Sequence, residues 1–137
     1  MTKPAALSVL FIDDDSIERM KFKRTVDSSG LNVSISEVSN GEKALKALHE
    51  GALPHVILLD LNMPRINGVE FLKILKSDVS LRHIPIVILT TSKNQRDLLK
   101  CFDIGIAGYI LKPLKYEEYE ERIKTVLSYW SISELIK

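Results

Sequence analysis

Five short apolar runs alternate along this chain with longer segments whose apolar residues recur at helical spacing, and that alternation leaves few folds open. The runs fall at 7–12, 33–38, 55–59, 86–90 and 108–111, and the helix-periodic segments at about 15–28, 40–50, 67–77, 94–104 and 115–130. Strands that alternate with helices return to one sheet through right-handed crossovers, which predicts an α/β fold: a parallel sheet with helices on both faces. Four of the runs are almost continuously apolar, as strands covered on both faces must be. The second alternates as Val33-Ser34-Ile35-Ser36, which predicts an exposed edge.

The borders of the segments carry matching punctuation. Asp15 or Ser16 caps the first helix and Asn40 the second, while Gly30, Gly51 and Gly105 fall where helices should stop. In the last segment Tyr116, Tyr119, Ile123, Val126, Leu127 and Trp130 form one apolar stripe. With 137 residues and 45% hydrophobic content, the chain holds apolar material for one buried core. The expectation is a single domain over 1–137, with its core at about 7–127 and a helical extension or tail at 128–137. Nineteen Lys plus Arg against eighteen Asp plus Glu, a formal charge of +1, exclude both a broad basic field for nucleic acid and an acidic tail. Cys101 is the only cysteine, the opening Met1-Thr2-Lys3-Pro4-Ala5-Ala6 lacks the apolar stretch of a signal peptide, and no apolar run approaches the ~20 residues that span a bilayer. These features predict a cytoplasmic protein with no membrane or nucleic-acid partner.

In parallel sheets of this kind, ligands bind beyond the carboxyl ends of the strands, near the point where strand order reverses. The first run ends in Asp13, Asp14 and Asp15, the third in Asp60, the fourth in Thr90 and Thr91, and the fifth in Lys112 before Pro113. Taken singly, each has a plain explanation: a turn with a helix cap, the start of a loop, a strand-favouring threonine, an exposed lysine before a strand-ending proline. Taken together they bring three or more carboxylates, a hydroxyl and an ammonium to one end of the sheet. Carboxylates so crowded repel one another unless a cation sits among them, and Mg²⁺ suits a site of few carboxylates that keeps waters and takes a phosphate oxygen. Zinc has no such cluster, because His49, His55 and His83 fall on separate segments without ligand spacing to Cys101. A carboxylate beside Mg²⁺, with a lysine and a hydroxyl to hold phosphoryl oxygens, is equipped for nucleophilic phosphoryl transfer, and Asp60 is central because its strand should be the middle one.

Four stretches carry a family resemblance: Val9-Leu10-Phe11-Ile12-Asp13-Asp14-Asp15; the run from His55 through Asp60-Leu61-Asn62-Met63-Pro64, with Gly68; Ile86-Val87-Ile88-Leu89-Thr90-Thr91-Ser92; and Gly108-Tyr109-Ile110-Leu111-Lys112-Pro113-Leu114. In content, order and spacing they resemble the receiver domains of two-component response regulators, over about residues 7–127. The resemblance implies a single flavodoxin-like, doubly wound sheet of five parallel strands in the order 2-1-3-4-5. It implies that Asp60 is the phosphoacceptor, and that Asp14 binds Mg²⁺ directly and Asp13 through water, with the Asn62 backbone carbonyl also on the metal. It implies that Thr90 and Lys112 hold phosphoryl oxygens, and that the Lys112–Pro113 peptide is cis and aims the lysine inward. Thr90 and Tyr109 correspond to the switch pair, and Asn62 and Ser92 to the positions that tune dephosphorylation. Asp15 is left as a helix cap.

The implied partners are a sensor histidine kinase or histidine phosphotransfer protein, and a downstream protein target met through the last two helices and the last strand. The stretch from Thr90 to Asn94 and the terminal stretch from Ser128 to Ile136 also resemble small stand-alone regulators partnered with phytochrome-type kinases. Tyr129, Trp130, Ile132, Leu135 and Ile136 make an apolar tail that either folds back on the domain or supports a homodimer through the last helix. Two other function classes stand against this one. A Mg²⁺-dependent phosphohydrolase would use Asp13-x-Asp15 with Thr90 and Lys112, but it expects its nucleophile on the first strand and a late acidic pair that this chain lacks. A flavin or nucleotide binder would need a phosphate-cradling glycine loop, and neither Gly-x-Gly-x-x-Gly nor Gly-x-x-x-x-Gly-Lys occurs. The expected protein is thus a signalling phosphoacceptor that catalyses only its own phosphorylation and dephosphorylation.

Overall fold

The computed structural model describes residues 6–63 and 67–136, so residues 1–5, residues 64–66, among them Pro64 of the second stretch, and residue 137 lie outside it. Among the described residues strands and helices alternate as β1 (Leu7–Ile12), α1 (Ser16–Ser29), β2 (Val33–Val38), α2 (Gly41–Glu50), β3 (Val56–Leu59), α3 (Gly68–Ser77), β4 (Ile86–Thr90), α4 (Gln95–Ile104), β5 (Gly108–Leu111) and α5 (Tyr116–Ile132). The strands form one parallel sheet in the order β2-β1-β3-β4-β5, which puts β3 at its centre.

Alternate residues of a strand face opposite sides, so a strand covered on both sides must be apolar throughout. On one side Val9, Phe11, Leu58 and Leu89 pack with Phe22 and Val26 of α1 and with Tyr119, Ile123 and Leu127 of α5. On the other, Leu10, Ile12, Ile57, Leu59, Ile86 and Ile88 pack with Ala44 and Leu48 of α2, with Phe71, Leu72 and Leu75 of α3, and with Cys101 of α4. Phe11 and Phe22 stack with ring centroids 4.1 Å apart, fixing α1 against β1. The edge predicted for β2 is observed. The continuously apolar β5 is the other edge and is only half-buried, because a strand flanked on one side alone leaves part of each face open.

Local chemistry sets the helix ends. The side chains of Asp15, Asn40, Asn67 and Asn94 each accept a bond from a backbone N–H of the following first turn. At Gly30, which ends α1, φ is +75°, a conformation that a Cβ disfavours. The tail divides: Trp130 and Leu135 pack against the layer built by α1 and α5, whereas Tyr129, Ile132 and Ile136 are exposed.

Candidate functional site

All five strands point the same way, so their carboxyl ends share one edge of the sheet. Register does the rest. Ile12 lies opposite Leu59, and the residues that follow them, Asp13 and Asp60, leave the sheet side by side, with Asp60 N–H donating to Ile12 O at 3.0 Å. Thr90 lies opposite Leu111, and Lys112 N–H donates to Thr90 O at 2.9 Å. The structure therefore brings Asp13, Asp14, Asp60, Thr90 and Lys112 to one end of the sheet.

Carboxylate oxygens of Asp13, Asp14 and Asp60 lie within 4.8 Å of one another. Asp13 and Asp60 are buried, Asp14 exposed. Both Asp13 oxygens are engaged: Oδ1 accepts from Asp15 N–H at 3.0 Å and Oδ2 from Lys112 Nζ at 2.8 Å. Asp15 turns away, and its Oδ1 accepts from Ile17 N–H at 2.9 Å as the cap of α1. Burial pushes the Asp60 carboxyl above the usual carboxylate range; Lys112 pulls it back, the Asp13 charge pushes it up again, and bonds from Asn62 N–H and Thr90 lower it without cancelling the rise. Crowded hard oxygen donors, one of them held out of its easy ionisation range, fit a divalent cation of the Mg²⁺ type. Asn62 lies beside them with its residue exposed, its N–H 3.4 Å from Asp60 Oδ1.

Lys112 approaches from β5 with only 8% of its side chain exposed. Burial alone would lower its pKa, but its bond to Asp13 and the charges of Asp13, Asp60 and Glu18 outweigh that and hold the ammonium above its usual range. Among the described residues no peptide bond is cis, so the Lys112–Pro113 bond is trans, correcting the expectation of a cis bond. Trans is the lower-energy isomer by about 0.5–1 kcal/mol, and the lysine reaches Asp13 without the cis form. Glu18, on the first turn of α1, escaped the sequence reading: its Oε2 lies 3.6 Å from Lys112 Nζ. No local signal pointed to it, because Asp14 lies before the N-cap of α1 and shares no helical face with Glu18.

Thr90 is fully buried and its Oγ1 accepts from Ser92 N–H at 3.3 Å. The Ser92 carbonyl accepts from the Tyr109 hydroxyl at 2.9 Å, and Ser92 Oγ donates to Asp97 Oδ2 at 3.0 Å. A chain of contacts therefore runs from the site to the start of α4 and to β5. Gly68 closes the loop after Asp60: its N–H donates to Leu61 O, and a Cβ there would lie 2.6 Å from Leu61 Cα and 2.8 Å from Asp60 O. Only glycine lets α3 start so close to the backbone that carries Asp60.

Comparison with known proteins agrees with this geometry. Residues 9–124 match the response regulator receiver domain. The chain is 33% identical over 127 residues to the probable methanogenesis regulatory protein FilR2 of Methanothrix harundinacea, across 89% of this chain and 82% of that protein. It is 30% identical over 121 residues to the chemotaxis protein CheY1 of Helicobacter pylori, across 88% and 97%. The crystal structure of the phosphorylated cyanobacterial phytochrome response regulator RcpA superimposes with a TM-score of 0.91 at 26% identity, across 97% of this chain and all of that one. With a receiver match over most of its length and relatives at such identity and coverage, this chain belongs to the response regulator receiver family and is homologous to regulators that accept phosphoryl groups on an aspartate.

Proposed function

We propose that this chain is a phosphoryl-accepting switch in which Asp60 takes a phosphoryl group from a phosphohistidine on a sensor histidine kinase or a histidine phosphotransfer protein. The observation that carries this reading is the convergence on Asp60 of two further carboxylates from the end of β1, the Thr90 hydroxyl from the end of β4 and the Lys112 ammonium from the end of β5, all at one edge of the sheet. An Asp60 carboxylate oxygen forms the new P–O bond as the P–N bond breaks, and the electron pair returns to the imidazole nitrogen. Mg²⁺ held by Asp13, Asp14, Asp60 and the Asn62 backbone carbonyl would neutralise charge on the phosphoryl oxygens. Lys112 pairs with one phosphoryl oxygen and Thr90 donates to another. Asn62 and Ser92 flank the approach of water and set how long the acyl phosphate lasts.

Thr90 and Tyr109 turn the phosphoryl group into a surface change. When Thr90 moves toward the phosphoryl group, the Ser92 segment moves with it, and the Tyr109 hydroxyl gives up its bond to Ser92 O. This remodels the face built by α4, β5 and α5, where a downstream protein would dock. The reading of Asp13 as a hydrolase nucleophile fares worse, because both its oxygens already accept hydrogen bonds.

Intact mass after incubation with Mg²⁺ and acetyl phosphate tests the proposal. The wild type should gain one phosphoryl mass and Asp60→Asn none. Steady turnover of assorted phosphate esters that survives Asp60→Asn would contradict it.

A further inference from the structure

Glu18 is a half-buried carboxylate with one oxygen that lacks a hydrogen bond. Its Oε2 is shielded from solvent and has no hydrogen-bond partner, although the Lys112 ammonium lies 3.6 Å away. Its Oε1 is 3.8 Å from Lys21 Nζ, which also sits 4.1 Å from the centre of the Tyr119 ring. A carboxylate oxygen stripped of water and left without a donor is costly, so its retention at this spot calls for a state in which the donor arrives. An ammonium carries three donors, and the carboxylate at bonding distance from Lys112 is Asp13, which is also one of the three candidate metal ligands. Asp13 Oδ2 cannot serve the lysine and a cation equally well.

We propose that Glu18 is a positioning residue that takes over the Lys112 ammonium when a divalent cation claims Asp13. The inference rests on the reading of Asp13 as a metal-side carboxylate given above. A shift of less than about 1 Å brings Nζ within charge-assisted bonding range of Glu18 Oε2. The lysine then stays charged and close to Asp60, and the breaking of its bond to Asp13 is offset by a new one. Without Glu18 the cation must compete with Lys112 for Asp13 with no such compensation. The Tyr119 hydroxyl, the other buried side-chain atom without a partner among the described residues, belongs to the neighbouring α5, and its pKa is raised first by burial and then by the Glu18 charge.

The test is Mg²⁺ titration by calorimetry on the full chain, comparing wild type, Glu18→Gln, Lys112→Met and the double variant, with thermal melting to confirm folding. Glu18→Gln should weaken Mg²⁺ binding about three- to tenfold, and the loss should fall below about twofold in the Lys112→Met background. Equal losses in both backgrounds would mean that Glu18 acts only as a distant charge, which overturns the proposal and leaves the metal site intact. Absence of Mg²⁺ binding in the wild type would instead remove the metal reading, and this inference with it. Should Lys112→Met fail to fold, Glu18→Asp decides: the charge is kept but withdrawn from the lysine, so a weakened affinity supports positioning and wild-type affinity refutes it.

Discussion

Lys112 Nζ donates to Asp13 Oδ2 at 2.8 Å across 99 positions of sequence, joining the ends of β5 and β1 although β3 and β4 lie between them in the sheet. The two side chains are 8% and 1% exposed, so this pair is buried. Breaking such a pair by removing one partner leaves the other charge uncompensated.

Lys112→Met should therefore destabilise the metal-free protein by about 2–4 kcal/mol, a little below the full penalty for a deeply buried pair because Asp14 beside it is exposed to water. Urea denaturation measures it. Added Mg²⁺ should recover part of the loss by giving Asp13 another cation, and no recovery would count against Asp13 as a metal-side carboxylate.

Saturating Mg²⁺ should stabilise the wild type, by about 2.7 kcal/mol when its concentration is a hundred times the dissociation constant. The gain should shrink sharply in Asp13→Asn and Asp60→Asn. Differential scanning calorimetry with and without the ion shows it, and a transition that ignores millimolar Mg²⁺ would remove the metal from the mechanism.

The raised pKa of Asp60 fixes the sign of a pH dependence. The folded protein holds this proton more tightly than the unfolded chain, so protonation favours folding. That contribution is complete below the ordinary value of 3.8 and is lost as pH rises through the higher folded value. Above that window the metal-free Asp60→Asn variant should be more stable than the wild type, and the difference should vanish in acid. Paired urea melts across pH give the curve, and a difference that grows in acid would reverse the assignment.

Gly68→Ala places a methyl group 2.6 Å from Leu61 Cα and 2.8 Å from Asp60 O, both backbone atoms that cannot rotate aside. The loop must move, at a cost of about 1–3 kcal/mol, and Asp60 moves with it. Loss of stability together with weakened Mg²⁺ binding is the expected result. Unchanged affinity in a destabilised variant would mean that the loop yields without disturbing the carboxylate.

Much of this fold was legible because its rules are local. Strand borders followed from the apolar runs, and β1, β2, β4 and β5 occupy the predicted ranges. Residue 55 drops from the third run because β3 starts at Val56, and the His55 ring serves instead as acceptor for Ser8 N–H. The central place of β3 was also legible, and with it the position of Asp60. What escaped depends on contacts between distant segments. The partial burial of β5 follows from its place at the edge and not from its composition. The proximity of Glu18 to Lys112 follows from how α1 lies beside the end of β5, which no local pattern encodes. Of the five apolar tail residues only the packing surface separates Trp130 and Leu135 from the exposed three.

The residue that carries the phosphoryl group decides the mechanism. Phosphorylated protein reduced with borodeuteride, then digested and mapped by tandem mass spectrometry, reports that residue directly. The label should sit on residue 60 alone; its appearance on Asp13 or Asp14, with residue 60 unmodified, would contradict the central claim.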